Sequence, residues 1–280
     1  MISMSLKLMF ITNDLPVALI AQKYGVDRIW VDLEILGKEA RQPNMDTVKS
    51  FHSVSDIAKI APRLTSSKML VRVNPWHDGS MEEINSVIAA GAELVMLPMW
   101  KSPDEVKEFV DAVHKRAKTI LLLETKEAVE CLDSVLAIDG VDEVHIGLND
   151  LHLAYHLSFM FELLADGTVE NICRKLRKRN IPYGFGGIAK LGEGLLPAER
   201  IIMEHYRLGS TRAILSRSFC NMATVSSIKE VETIFRDNMQ LLREYEASLL
   251  GLSDEVYLQN KAELKACVEK IAVRKKDSCI

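Results

Sequence analysis

Charged residues recur in this chain at one kind of position, directly after a short apolar run. Trp30-Val31-Asp32-Leu33-Glu34, Val71-Arg72-Val73-Asn74-Pro75-Trp76-His77, Leu121-Leu122-Leu123-Glu124-Thr125 and His145-Ile146-Gly147-Leu148-Asn149-Asp150 all have this form. Carboxylates brought close together repel unless a proton or a cation offsets them. Glu124 and Asp150 are the candidate pair for one divalent ion, and oxygen ligands completed by water suit Mg²⁺ or Mn²⁺ better than zinc. The plainer alternative is an ion pair with Lys126 or another base. The forked donors of Arg72 suit a substrate carboxylate, or a carbonyl oxygen becoming an enolate, with Asp32 and Glu34 orienting the guanidinium. The competing role for Arg72 is neutralising those two acids. Gly147 allows close backbone approach, so the amides of Gly147-Leu148-Asn149-Asp150 are a candidate cradle for a substrate carboxylate.

The elements that must position these residues alternate along the chain. Strands are expected at Lys7–Thr12, Arg28–Glu34, Met69–Asn74, Leu94–Met99, Ile120–Thr125, Glu143–Asn149, Pro182–Ile188 and Arg212–Phe219. Helical patterns lie between them at Val17–Tyr24, Thr47–Ala61, Met81–Ala90, Pro103–Lys115, Lys126–Ala137, Met160–Arg179 and Pro197–Tyr206, and a long helix follows from about Ile228 to Leu250. Eight such units imply an α/β fold of the (β/α)₈ barrel type with an extra C-terminal helix, and chemistry in that fold sits at the C-terminal ends of the strands. An open doubly wound sheet is disfavoured because the first loop, Thr12-Asn13-Asp14-Leu15-Pro16, has no glycine for a phosphate turn. Residues 1–250 read as the barrel. Residues 251–280 read as an appended helix and tail, capped by Ser253-Asp254-Glu255 and suited to packing on a neighbouring subunit.

Composition narrows the function classes. The 280 residues carry 35 basic and 39 acidic side chains, so no basic excess points to nucleic acid. Five scattered cysteines without a CxxC pair argue against a zinc cluster or disulfide scaffold and suit a reducing cytoplasm. The N-terminal apolar run reads as a first strand rather than a leader, and no segment has the length of a membrane span.

The motifs resemble the HpcH/HpaI aldolase and citrate lyase β-subunit superfamily. The matching segments are Gly25–Glu34, Val71–Asn74, Gly91–Pro98, Leu122–Thr125 and Ile146–Leu151, in family order across roughly residues 5–220. The resemblance implies a metal, Mg²⁺ or Mn²⁺, held at Glu124 and Asp150. It also implies Arg72 on the keto oxygen of a small 2-oxo acid, C–C cleavage through a pyruvate-type enolate, and homo-oligomers with exchanged C-terminal helices. The second reactant would be an aldehyde or a thioester. Two departures stand out. Family aldolases carry a histidine after the strand-two motif, where this chain has Ile35, and the citrate-lyase branch has an acidic residue there. His77, His145 and His152 are the candidate replacements, with His77 preferred for acid/base work. A CoA-thioester lyase of the citrate-lyase β type, a phosphoenolpyruvate-utilising barrel and a degenerate non-catalytic barrel are the competing readings. Further along, the glycine-rich Ile181–Gly194 segment with Lys190, Arg212 and Arg217 is either an anion-binding loop or a tight turn packed on the barrel. His152, Tyr155 and His156 are expected on a helical turn over the mouth.

Overall fold

The computed structural model describes residues 5–37 and 52–277. Eight apolar segments form parallel strands: β1 Lys7–Ile11, β2 Arg28–Asp32, β3 Lys68–Arg72, β4 Leu94–Leu97, β5 Lys118–Leu123, β6 Glu143–Ile146, β7 Tyr183–Ile188 and β8 Arg212–Leu215. They close in chain order, and β8 returns to β1 with Lys7 opposite Arg212. The helices on the outside are α1 Leu15–Lys23, α2 Val54–Ile60, α3 Ser80–Ala89, α4 Pro103–Val113, α5 Lys126–Glu130, α6 Leu132–Val135, α7 Leu148–Ala154, α8 Glu162–Ala165, α9 Thr168–Lys178, α10 Ala198–Leu208, α11 Ile228–Leu249 and α12 Asp254–Asp277. This is the expected (β/α)₈ barrel with an additional C-terminal helix. No described helix is long and apolar enough to cross a membrane.

Strand alternation builds two cores. Met9, Trp30, Leu70, Leu94, Met96, Ile120 and Leu122 point inward and fill the barrel. Their neighbours in sequence, among them Leu8, Phe10, Ile29, Val31, Val71, Val95 and Leu121, point outward and bury the apolar faces of the helices. Side-chain caps set where helices begin: Asp14 accepts from the Val17 amide at 2.9 Å, and Ser102 from the Glu105 amide at 3.2 Å.

The end of the barrel away from the strand C-termini is closed by charge. Glu143 on β6 receives Arg28 from β2 at 2.7 and 2.8 Å and Arg212 from β8 at 3.0 and 3.1 Å. All three side chains are buried, and the two guanidiniums hold the Glu143 carboxyl down at about 2 against its burial. Arg212 therefore belongs to the barrel floor, which corrects its expected place in an anion-binding loop. The glycine run is largely β7 itself. A Cβ on Gly184 would lie 2.3 Å from the Arg212 carbonyl oxygen, so β7 can approach β8 this closely only without a side chain there. Lys190 beyond it pairs with Glu193 at 3.0 Å.

Other boundaries also differ from the sequence reading. Every strand except β7 stops one to four residues short of its expected end, the residues beyond leaving the ladder to turn into loops. The expected helix Lys126–Ala137 is interrupted at Cys131, and Met160–Arg179 is broken at Gly167, whose φ of 90° is left-handed. The N-terminal part of the expected helix Thr47–Ala61 lies outside the described residues. α12 packs on α10 and α8 of its own chain, burying Leu264, Val268 and Ala272. Arg200–Glu263 and Lys261–Glu170 ion pairs flank that seam.

Two buried imidazoles link the fold to pH. Burial pushes His145 down to about 4 and His205, stacked on Phe185 at 3.8 Å, down to about 3. The unfolded chain takes up these protons near pH 6.5 and the folded chain does not. Their contribution is therefore complete above pH ~6.5 and lost on acidification, at about 1.4 kcal/mol per pH unit per group. Urea unfolding between pH 7 and 5 should show this slope, and His205→Gln should roughly halve it; an unchanged slope contradicts the assignment. Glu143→Gln leaves two guanidiniums facing each other without an anion and is expected to cost about 3–5 kcal/mol in the same experiment at pH 7.

Candidate active site

The strand C-termini open into a cavity of about 890 Å³. Its centre is set by the register of β2 and β3, which places Asp32 beside Arg72. Arg72 Nε donates to Asp32 Oδ1 at 2.8 Å and Nη2 to Oδ2 at 2.7 Å, a forked pair, while Nη1 lies 2.9 Å from Glu34 Oε2. The guanidinium also stands over the Trp30 ring, 5.4 Å from its centroid. Burial works against its charge, but Asp32 and then Glu34 more than offset that and hold the pKa above its ordinary value. Asp32 and Glu34 are themselves buried, so the three charges are rigidly paired. The two readings of Arg72 are thus compatible: it neutralises two acids, and it retains N–H donors for a substrate oxygen.

Glu124 follows β5, and its neighbour Thr125 caps α5 by accepting from the Ala128 amide at 3.1 Å. Cap and strand together fix Glu124 at the rim, where its Oε1 accepts from the Met99 amide at 3.2 Å. Burial, and next the charge of Asp150, push its pKa well above the carboxylate range. Lys126 does not relieve this, since its ammonium stands over the Tyr155 ring at 5.2 Å. Gly147 leaves the necessary room: a Cβ there would lie 2.7 Å from Glu124 Oε2. Two hard oxygen donors in mutual repulsion, one of them buried, suit a divalent cation such as Mg²⁺ or Mn²⁺. No group of three His, Cys, Asp or Glu side chains among the described residues forms a complete ligand set. The remaining positions would fall to substrate and water.

Asn149, Asp150 and Gly147 all line the cavity, but as the first turn of α7 and the residue before it rather than as strand. His77 lies apart from the cavity lining. It sits on the loop before α3, its Nδ1 accepting from the Gly79 amide at 3.0 Å and its Nε2 3.4 Å from Glu83. His152 is bonded to the Asn149 carbonyl and is also absent from the lining. Ile35 points to solvent while its amide is held by Asn74 at 2.9 Å. His145 does line the cavity, deep in the barrel, with Nε2 donating to the Gly186 carbonyl at 3.2 Å. Arg217 lines it from beyond β8.

The residue that the sequence reading missed is His52. It lines the cavity, and its Nδ1 accepts the backbone N–H of Asp32 at 2.9 Å. The reading placed His52 inside a helix beginning at Thr47. A usable signal was present in Ser53-Val54-Ser55-Asp56, a capping pattern that puts the N-cap directly after His52 and starts the helix at Val54. Asp56 indeed reaches back to the Ser53 amide at 2.8 Å and also accepts from Asn13, on the loop after β1, at 3.3 Å.

The sequence profile of the HpcH/HpaI aldolase/citrate lyase family matches residues 8–158, which contain β2 to β6, all but the first residue of β1, and every residue of the Arg72 and Glu124 clusters. A hydroxypyruvate/pyruvate aldolase of Roseovarius nubinhibens is 27% identical over 138 residues, covering 36% of this chain and 51% of that relative. The chain thus spans about half the length of the curated relative it matches. Among solved structures, an HpcH/HpaI aldolase from Desulfitobacterium hafniense superposes with a TM-score of 0.58 at 16% identity, covering 86% of this chain and 94% of the other. An HpcH/HpaI aldolase/citrate lyase family protein from Burkholderia cenocepacia gives 0.59 at 14% identity, covering 87% and 95%. At those identities the structures speak for the barrel alone, whereas the profile match runs over more than half of the chain. The chain belongs to the HpcH/HpaI aldolase/citrate lyase family.

Proposed function

We propose that this protein is a carbon–carbon lyase of the aldolase type, acting on a small 2-oxo acid through an enolate and using a divalent cation. The observation that carries this reading is the division of charge in one cavity. A buried guanidinium with donors to spare stands on β3, and a pair of repelling carboxylates stands after β5 and β6. An enolate oxygen needs positive charge on it as it forms, and an aldolase site must supply that charge without disturbing its own packing. Family membership and the similarity to a pyruvate aldolase support the same class.

Glu124 and Asp150 would hold Mg²⁺ or Mn²⁺, which when bound supplies Lewis-acid stabilisation of the developing enolate. Arg72 donates to the same keto oxygen. Asp32 and Glu34 keep the guanidinium oriented and charged, so no reorganisation is required when the oxygen becomes anionic. The amides of Leu148 and Asn149, at the start of α7, are the candidate cradle for the substrate carboxylate, the Gly147 N–H being taken by the Leu123 carbonyl at 2.9 Å. The surrounding apolar wall, which includes Leu122, Leu148 and Ile214, limits water around the carbanion. The cosubstrate is proposed to be an aldehyde.

Two measurements test the reading. Mn²⁺ with oxalate, an enolate mimic, should raise the melting temperature of the wild type and not that of Glu124→Gln; Gly147→Ala should weaken the effect by displacing Glu124. Proton NMR in D₂O should show metal-dependent exchange of pyruvate methyl protons, reduced at least about hundredfold in Arg72→Lys, because an ammonium cannot reproduce the fork on Asp32. Exchange with acetyl-CoA but not with pyruvate would move the protein to the thioester branch. No exchange with either, at any metal, would exclude the enolate mechanism.

A further inference from the structure

Counting by twos along the strands that reach the floor gives the layers of the barrel interior. Arg28, Trp30 and Asp32 follow one another on β2, Glu143, His145 and Gly147 on β6 and just beyond it, and Arg212, Ile214 and Ser216 on β8 and just beyond it. The contacts of Glu143 with Arg28 and Arg212 fix the lowest layer. Asp32, Gly147 and Ser216 therefore share the uppermost one, and all three line the cavity. Asp32 holds Arg72, and Gly147 makes room for Glu124. Ser216 serves neither group.

The place of the second substrate follows from where the enolate is held. With the keto oxygen at Arg72 on β3 and the carboxylate at the start of α7, the carbanion carbon faces the remaining arc of wall, made by β7, β8 and the loop after β1. Gly186 and Gly187 leave space in this arc, and a Cβ on Gly187 would lie 3.3 Å from the Ser216 Cβ. Ile11, Ile214 and Leu215 make much of the arc apolar. Its other neutral polar groups are committed locally. Thr12 Oγ1 accepts the Asp14 amide at 3.1 Å, Asn221 Oδ1 accepts the Ala223 amide at 3.1 Å, and Asn13 donates to Asp56 at 3.3 Å. Asp14 and Arg217, the charged members of the arc among the described residues, are exposed at its rim and opposite in sign. Ser216 is half-buried, and its hydroxyl has no hydrogen-bond partner among the described residues. A hydroxyl both donates and accepts, so another hydroxyl is its fitting counterpart. A carboxylate or phosphate would instead call for a wall of net positive charge.

We infer that Ser216 is a specificity-determining residue that hydrogen-bonds a hydroxyl of the second substrate, and that this substrate is a small, neutral hydroxyaldehyde. The inference deepens the aldolase reading and rests on it. Ser216 takes no part in enolate formation, so its effect belongs to the second half-reaction alone. A single hydroxyl in a half-open wall is worth about tenfold in discrimination.

The test separates the halves. Pyruvate exchange in D₂O reports on the enolate, and addition of pyruvate to glycolaldehyde or to acetaldehyde, which differ by one hydroxyl, reports on the acceptor. The wild type should show a higher kcat/KM with glycolaldehyde than with acetaldehyde, glyoxylate or glyceraldehyde 3-phosphate. Ser216→Ala should lower the glycolaldehyde value about tenfold while leaving acetaldehyde addition and pyruvate exchange within about twofold of wild type. Ser216→Cys, which keeps the bulk but bonds weakly, should resemble Ser216→Ala. Equal loss with both aldehydes, recovery by Cys, preference of the wild type for an anionic or hydroxyl-free acceptor, or exchange without any addition each overturns the role. Absence of exchange in the wild type, seen before any acceptor is supplied, removes the aldolase reading and the inference with it.

Discussion

A buried guanidinium can keep its charge only if anions are held against it, and at the mouth of this barrel that requirement organises the elements around it. Arg72 is enclosed by Asp32 in a forked contact and by Glu34 at 2.9 Å. Those acids are buried and would be costly without it. The register of β2 and β3 sets the first contact, and the turn after β2 sets the second. Because the two carboxylates offset its charge and fix its plane, Arg72 stays charged and oriented, as a stabiliser of a developing oxyanion must.

The two ends of the barrel solve opposite electrostatic problems. At the floor one carboxylate, Glu143, lies between two guanidiniums, and the cluster is closed and bonded on both oxygens. Among the described residues, five carboxylates at the mouth (Asp14, Asp32, Glu34, Glu124 and Asp150) share the cavity wall with two guanidiniums, Arg72 and Arg217. The floor therefore contributes to stability, whereas the mouth holds an excess of negative charge suited to a cation. Glycines serve both ends by omission: Gly184 lets β7 close on β8, and Gly147 lets Glu124 occupy the rim.

Much of this was legible in the chain. Apolar runs that end in a charged residue mark strands whose C-termini carry chemistry, so Asp32, Arg72, Glu124 and Asp150 could be read as one set before any strand was paired. The boundaries were less legible. Leu148 and Asn149 were read as the end of the sixth strand, yet they open the first turn of α7, because periodicity over so few residues cannot separate the two. Arg212 looked like a loop-side anion ligand because its inward direction follows from pairing with β7 and β1 and not from its neighbours. His77 follows the Arg72 motif closely in sequence, but the loop carries it to Glu83 and away from the cavity.

By itself the sequence determined the number and order of the βα units and which acids and which arginine end up at strand termini. These depend on local periodicity and on the general rule that chemistry sits where barrel strands end. Only the tertiary structure decided which ionisable groups meet. His52 lies twenty residues from Asp32 and meets it by accepting the backbone N–H at the end of β2. Glu143 lies far from both Arg28 and Arg212 and joins them because the barrel closes. Such contacts arise from ring closure and from donors left over at strand edges, and neither leaves a pattern in neighbouring residues.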